Sequence, residues 1–143
     1  MQKKQGKLLQ EKDQAAVHRA TRQAHGYEIA QDYVEVIDDL IRVQGKARVV
    51  DVARRFGVSH VAVNKTVNRL QEEGLVVTEP YKAIELTNKG AALAKKCRER
   101  HEIVFQFLCE IGVSEKTAHI DTEGIEHHVS DETLAAFRKF IAK

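Results

Sequence analysis

Apolar residues recur at helical spacing through most of this chain, and its single proline, Pro80, falls in the stretch where that rhythm breaks. Proline inside a helix costs about 3 kcal/mol, so one proline in 143 residues leaves almost the whole length free to be helical. Tryptophan is absent and glycine occurs eight times, which argues against a β-sandwich. From Tyr27 to Val43 the residues Ile29, Tyr33, Val36, Ile37, Leu40 and Ile41 predict a first helix, stopped by Gly45. A short helix through Ala53–Phe56 meets a Gly57-Val58 turn, and Ser59 is placed to cap a second helix reaching about Glu73. That helix buries Val63, Val67 and Leu70. Strand-like residues 75–78 and 83–86 then flank the turn Glu79-Pro80-Tyr81-Lys82, giving a helix-turn-helix followed by a β-wing.

Beyond the wing, Thr87 caps a long helix from about Asn88 to Ile111 with the stripe Leu93, Cys97, Val104, Leu108 and Ile111, in which position 101 is histidine. Ser114 caps a helix expected to run through about Val129, and Ser130 caps a last one holding Leu134, Phe137 and Ile141. The expected fold is mainly α: an N-terminal winged helix-turn-helix with a small β-wing, plus a C-terminal helical domain for dimerisation and metal binding. The boundaries are a basic arm over 1–25, a DNA-binding domain over 26–90 and a helical domain over 91–143.

Residues 1–25 carry six Lys or Arg, namely Lys3, Lys4, Lys7, Lys12, Arg19 and Arg22, against Glu11 and Asp13. Two readings stay open for this arm: a solvated, flexible tail, or a segment adding phosphate contacts. The formal net charge of +2 means that nucleic-acid binding has to come from a local basic patch. Cys97 and Cys109 form no CxxC pair and read as buried thiols. No apolar run approaches a bilayer span and no signal peptide opens the chain, so a cytoplasmic protein without a membrane partner is expected.

In a winged helix-turn-helix the second helix enters the major groove. With Val63, Val67 and Leu70 turned inward, Ser59, His60, Val61, Asn64, Lys65 and Asn68 are left on the outward and lateral faces, with Arg69 and the wing's Lys82 in reach of phosphate. Val61 can touch a thymine methyl, Lys65 can donate to guanine, and Asn64 or Asn68 can pair with adenine. A protein-interaction module with an ordinary solvated face is the other reading. A two-fold DNA site would call for a homodimer, and the apolar stripes over 103–111 and 134–141 offer it a surface.

The strongest chemical signal is Glu123-Gly124-Ile125-Glu126-His127-His128. At about 100° per residue, Glu123, Glu126 and His127 share one helix face while His128 falls on another. A solvated acidic face is the plain alternative. His101 interrupts an apolar stripe and reads either as a satisfied core histidine or as a ligand; Asp32 and Glu35, at i and i+3 beside a buried face, read either as a surface pair or as ligands. Assembled, the six hold four carboxylates and two neutral imidazoles, a formal charge that two divalent cations neutralise. Without metal the like charges repel or take up protons, so metal would clamp the two halves together. Carboxylates with imidazole and no thiolate suit Mn2+ best, two per protomer, then Fe2+, while Zn2+ binds as a non-cognate metal.

These motifs resemble the diphtheria toxin repressor family of metal-dependent transcriptional regulators, and within it the manganese-responsive branch. The resemblance spans residues 27–140, through Asp32-Tyr33-Val34-Glu35, the helix-turn-helix from Val58-Ser59 to Leu75, Leu86-Thr87-x-x-Gly90, Arg100-His101-Glu102 and the Glu123–His128 run. It implies metal ligands at Asp32, Glu35, His101, Glu123, Glu126 and His127. Iron-responsive relatives carry Met at the position of Asp32 and Cys at that of Glu123. It further implies a cytoplasmic homodimer on operator DNA, with repression of manganese-uptake genes as its usual output and activation of efflux genes in some members. The chain departs from longer members in carrying no C-terminal SH3-like domain, and from the shortest in its basic arm. The competing expectations are an iron(II) sensor of the same fold and a small metallohydrolase. The second lacks an HExxH pair, a phosphate loop and a nucleophile elbow, so no enzyme and no small-molecule substrate are expected.

Overall fold

The computed structural model describes residues 8–143, with the side chains of residues 24–26 outside that description. Lys3, Lys4 and Lys7 of the basic arm lie outside it too. Helix α1 spans Glu11–Gln44 and ends where Gly45 turns left-handed at φ +80°. It therefore starts sixteen residues before the helix expected from Tyr27. Residues 11–23 are exposed on every side, so they have no apolar period to read. Their Gln, Ala, Lys and Arg are strong helix formers that extend an already nucleated helix.

Helices α2 (Val49–Phe56) and α3 (His60–Glu72) are joined by Gly57 at φ +66°, and the Ser59 hydroxyl accepts the Ala62 amide at 3.1 Å as the α3 cap. Strands β1 (Val76–Val77) and β2 (Glu85–Leu86) pair antiparallel, Val76 opposite Leu86, while Ala47 bridges to Ile84. The wing between them turns at Tyr81, whose φ of +66° is left-handed and whose side chain is fully exposed. The strands are shorter than the expected segments, pairing only Val76 with Leu86 and Val77 with Glu85, as a two-stranded ribbon is marginally stable by itself.

Helix α4 (Asn88–Glu110) begins at Thr87, whose hydroxyl accepts the Gly90 amide and donates to the Gly74 carbonyl at 2.7 Å. It is the shared beam of the molecule. Its first half packs Ala94 into a core made by Tyr33, Val34, Ile37, Val52, Val67 and Ile84. Its second half puts Val104 and Leu108 into a separate core with Ala118 and Leu134, walled by Phe107 stacked on Phe137 at 3.8 Å. Asp38 on α1 pairs with Arg98 on α4, tying the two helices together.

Helix α5 (Glu115–Ile125) is capped by Ser114 and α6 (Asp131–Ile141) by Ser130. The α-helix expected through Val129 stops at Ile125, and Glu126–His128 form a tighter 3-10 turn. Arg100 gives the physical reason. Its guanidinium donates to the carbonyls of Glu126, at 3.2 Å, and Val129, drawing this segment onto α4.

Candidate metal centre

The seam between the two cores is where α1, α4, the end of α5 and the 3-10 turn meet, and all six sequence-nominated ligands lie there. Asp32 and Glu35 come from α1, on the flank of buried Tyr33 and Val34; His101 comes from α4; Glu123 comes from α5; Glu126 and His127 come from the turn. His101 Nδ1 lies 3.1 Å from Glu126 Oε2 and 3.7 Å from Glu123 Oε1. His127 Nε2 lies 2.8 Å from Asp32 Oδ1 and 3.4 Å from Glu126 Oε1. Donor atoms fall into overlapping groups compact enough for a cation: Glu35, His101 and Glu126; Asp32, Glu123 and Glu126; and Glu28, Asp32 and His127.

Burial makes these groups more than a surface acidic cluster. Glu126 is 2% exposed and His127 8%, yet Glu126 Oε1 and His127 Nε2 make no directed hydrogen bond, Asp32 notwithstanding. An orphaned buried carboxylate oxygen is costly, and a cation in contact with both atoms would satisfy them. Protonation tells the same story. The Glu35 carboxyl is pushed up to about 7, first by burial and then by Glu126 and Glu123. Glu123 is also pushed up, by burial and by Glu126. His101 is raised, chiefly because Glu126 accepts its proton. Burial alone would lower His127, but the carboxylates of Asp32, Glu126 and Glu28 outweigh it and the net direction is upward.

The donors are hard. Cys97, one helical turn before His101, belongs to none of these groups, and burial together with Glu35 and Glu126 pushes its thiol up to about 12. Carboxylate oxygen and imidazole nitrogen fit Mn2+ and Fe2+ and give no soft ligand.

Three residues of the site carried no sequence signal as ligands or supports. Gln31 Oε1 accepts from His127 Nδ1 at 2.6 Å, leaving Nε2 to face the carboxylates. Arg100 fixes the turn that bears Glu126 and His127. Glu28 lies one helical turn before Asp32, a spacing visible in the sequence once Asp32 is known to face the site. His128, expected on another surface, lies outside the three groups, with Nε2 3.7 Å from Glu28.

The DNA-reading candidates sit about α3 and the wing. His60, Val61, Asn64, Lys65, Asn68 and Arg69 are exposed on α3, with Val61 at 77%, and Ser59 is occupied as the cap. His60, Asn64 and Asn68 line a groove shared with Arg48, Tyr81 and Lys82. Lys82 pairs with Glu79 at 2.7 Å, and Arg69 lies 3.9 Å from Glu73, so both would exchange a carboxylate for phosphate.

Residues 27–84 match the model of the iron dependent repressor N-terminal DNA binding domain, and residues 87–143 match that of the iron dependent repressor metal binding and dimerisation domain. The transcriptional regulator MntR of Escherichia coli O157:H7 is 48% identical over 141 residues, covering 99% of this chain and 91% of the relative. The HTH-type transcriptional regulator MntR of Bacillus subtilis strain 168 is 42% identical over 100 residues, covering 70% of each. A solved manganese-dependent transcriptional repressor in complex with manganese superposes with a TM-score of 0.72 at 32% identity, over 79% of this chain and 52% of that one. The chain thus spans about half the length of that solved repressor. The resemblance read from the motifs is borne out, as is the mainly helical winged-helix architecture. With both domain models matched in order and a full-length relative at nearly half identity, the chain belongs to the iron dependent repressor family, whose members are DNA-binding, metal-binding transcriptional regulators and not enzymes.

Proposed function

We propose that this protein is a manganese(II)-dependent repressor that, as a cytoplasmic homodimer, binds a two-fold operator and lowers transcription of manganese-uptake genes when manganese is plentiful. Residues 26–90 would carry the DNA contacts and residues 91–143 the dimer interface and most of the metal ligands. Two cations per protomer are held by Asp32, Glu35, His101, Glu123, Glu126 and His127. Bound manganese supplies positive charge that neutralises buried Glu126 and the carboxylates around it.

One observation carries this reading: buried, unsatisfied donors of the 3-10 turn face carboxylates of α1, the helix that packs the DNA-binding core. Asp32 and Glu35 on α1 repel Glu123 and Glu126 unless cations or protons intervene. Filling the centre therefore fixes α1 against α4 and the turn, and with α1 the setting of α3. The protein's part is to hold His127 by Gln31, to present Glu126 between two donor groups, and to orient His60, Val61, Asn64, Lys65 and Asn68 toward base edges from a helix capped by Ser59, with Arg69 and Lys82 at phosphate.

The test is selection of DNA from a random duplex library by chelator-stripped protein, with free manganese clamped or absent, beside a manganese titration followed by electron paramagnetic resonance. Palindromic sequences enriched only with manganese, and about two ions per protomer, are expected. Equal enrichment under chelator overturns metal control, and stronger activation by iron(II) at equal free concentration overturns the manganese assignment. Glu123→Ala removes an exposed side chain and is expected to abolish the metal-dependent enrichment without unfolding the protein.

A further inference from the structure

We propose that Glu28 is a seventh metal ligand, joining Asp32 and His127 around the cation on the His127 side and favouring manganese(II) over zinc(II). The proposal rests on the two-cation reading above. Of its three residues, Glu28 alone lies outside the motifs that carried that reading. Donor atoms of Glu28, Asp32 and His127 all lie within 4.8 Å of one another, close enough to share one divalent ion. Residues 28, 32 and 35 occupy i, i+4 and i+7 of α1, so Glu28 extends the ligand face of that helix by one turn.

The second observation is His127 itself. Its Nδ1 is committed to Gln31, and its Nε2, in a ring more than nine-tenths buried, points into this group without a directed hydrogen bond. A buried imidazole nitrogen facing two carboxylates is a ligand set of one nitrogen and two oxygens. On the other side of Asp32, Glu123 and Glu126 already supply donors. Glu28 adds a second carboxylate oxygen to the donors of Asp32 and His127, and manganese favours a larger, oxygen-richer shell than tetrahedral zinc, so the addition raises affinity mainly for manganese.

Glu28 also lies 3.7 Å from His128, so a supporting ion pair is the rival account, and two variants separate them. Manganese and zinc isotherms are measured on chelator-stripped full-length wild type, Glu28→Gln and His128→Gln, with the metal-free Tm of each. Glu28→Gln is expected to weaken one manganese equivalent about 10–100-fold and zinc by much less, with the Tm retained. His128→Gln is expected to leave both isotherms in place. Unchanged manganese affinity in Glu28→Gln overturns the ligand role, and so does equal weakening of manganese and zinc or an equal loss in His128→Gln. A wild type that takes up no manganese overturns the underlying two-cation reading instead.

Discussion

His127 donates from Nδ1 to the side-chain oxygen of Gln31, 2.6 Å away across 96 positions of sequence, and so presents its other nitrogen to the carboxylates of the metal centre. In the neutral ring this contact places the proton on Nδ1. An imidazole with Nδ1 protonated carries its free lone pair on Nε2, the atom nearest Asp32 and Glu126. Gln31 is therefore a positioning residue for the centre, set on α1 next to Asp32, whose carboxylate faces the same ring.

Replacing Gln31 by Ala is expected to weaken the His127-side manganese ion about 10–100-fold while sparing the ion held by Glu35 and His101. Gln31→Glu, which keeps an acceptor oxygen, restores the affinity. Electron paramagnetic resonance titration resolves the two equivalents, and identical isotherms for wild type and Gln31→Ala would contradict the role.

The metal-free protein is expected to lose stability as pH rises. Glu35 has an ordinary value of 4.5 and is pushed up to about 7 when folded. Between those values the folded chain holds a proton that the unfolded chain has released. The stabilisation is full below pH 4.5 and is lost as pH climbs through about 7. His101 and His127, both raised, act with the same sign above their ordinary value of 6.5. Calorimetry from about pH 5 to about pH 8 should show a falling Tm that flattens in Glu35→Gln and reverses in saturating manganese. A Tm that rises with pH in chelator would refute it.

Lys65→Ala is expected to reduce operator affinity and to lower the slope of log affinity against log salt by about 1 if the ammonium meets phosphate. If Lys65 reads guanine, the loss is instead about 1–3 kcal/mol and confined to one base position. Manganese stoichiometry stays unchanged in either case, because α3 lies away from the ligands. A variant that loses metal would link the two faces at this side chain.

Gly90→Ala is expected to destabilise the fold by about 1–3 kcal/mol, with either metal state affected alike. An added Cβ would stand 2.0 Å from the Leu75 carbonyl oxygen, where the start of α4 presses on the wing. Urea melts of wild type and variant measure it, and an unchanged midpoint would show that the helix start shifts freely.

The sequence by itself determined the local architecture. Helix caps at Ser59, Thr87, Ser114 and Ser130, turn glycines at 45 and 57, and inward Val63, Val67 and Leu70 were all legible. Each depends on hydrogen bonds or side-chain periodicity within a turn or two of chain. The six candidate ligands were nominated for similar reasons, by spacing within the Asp32-Glu35 pair and the Glu123-Glu126-His127 run, by a histidine in an apolar stripe, and by family resemblance. Only the tertiary structure decided how they meet. The first turns of α1 are exposed all round, so no apolar rhythm announced them. The end of α5 is set by Arg100, 26 positions from the Glu126 carbonyl it holds, and that contact converts helix to 3-10 turn and buries Glu126 and His127 while Glu123 stays exposed. Gln31 and Glu28 reach the site because α1 packs against that turn. Such partners are chosen by packing between distant segments: no local period of the chain records Gln31, and the spacing of Glu28 to Asp32 gains meaning only once Asp32 is known to face the site.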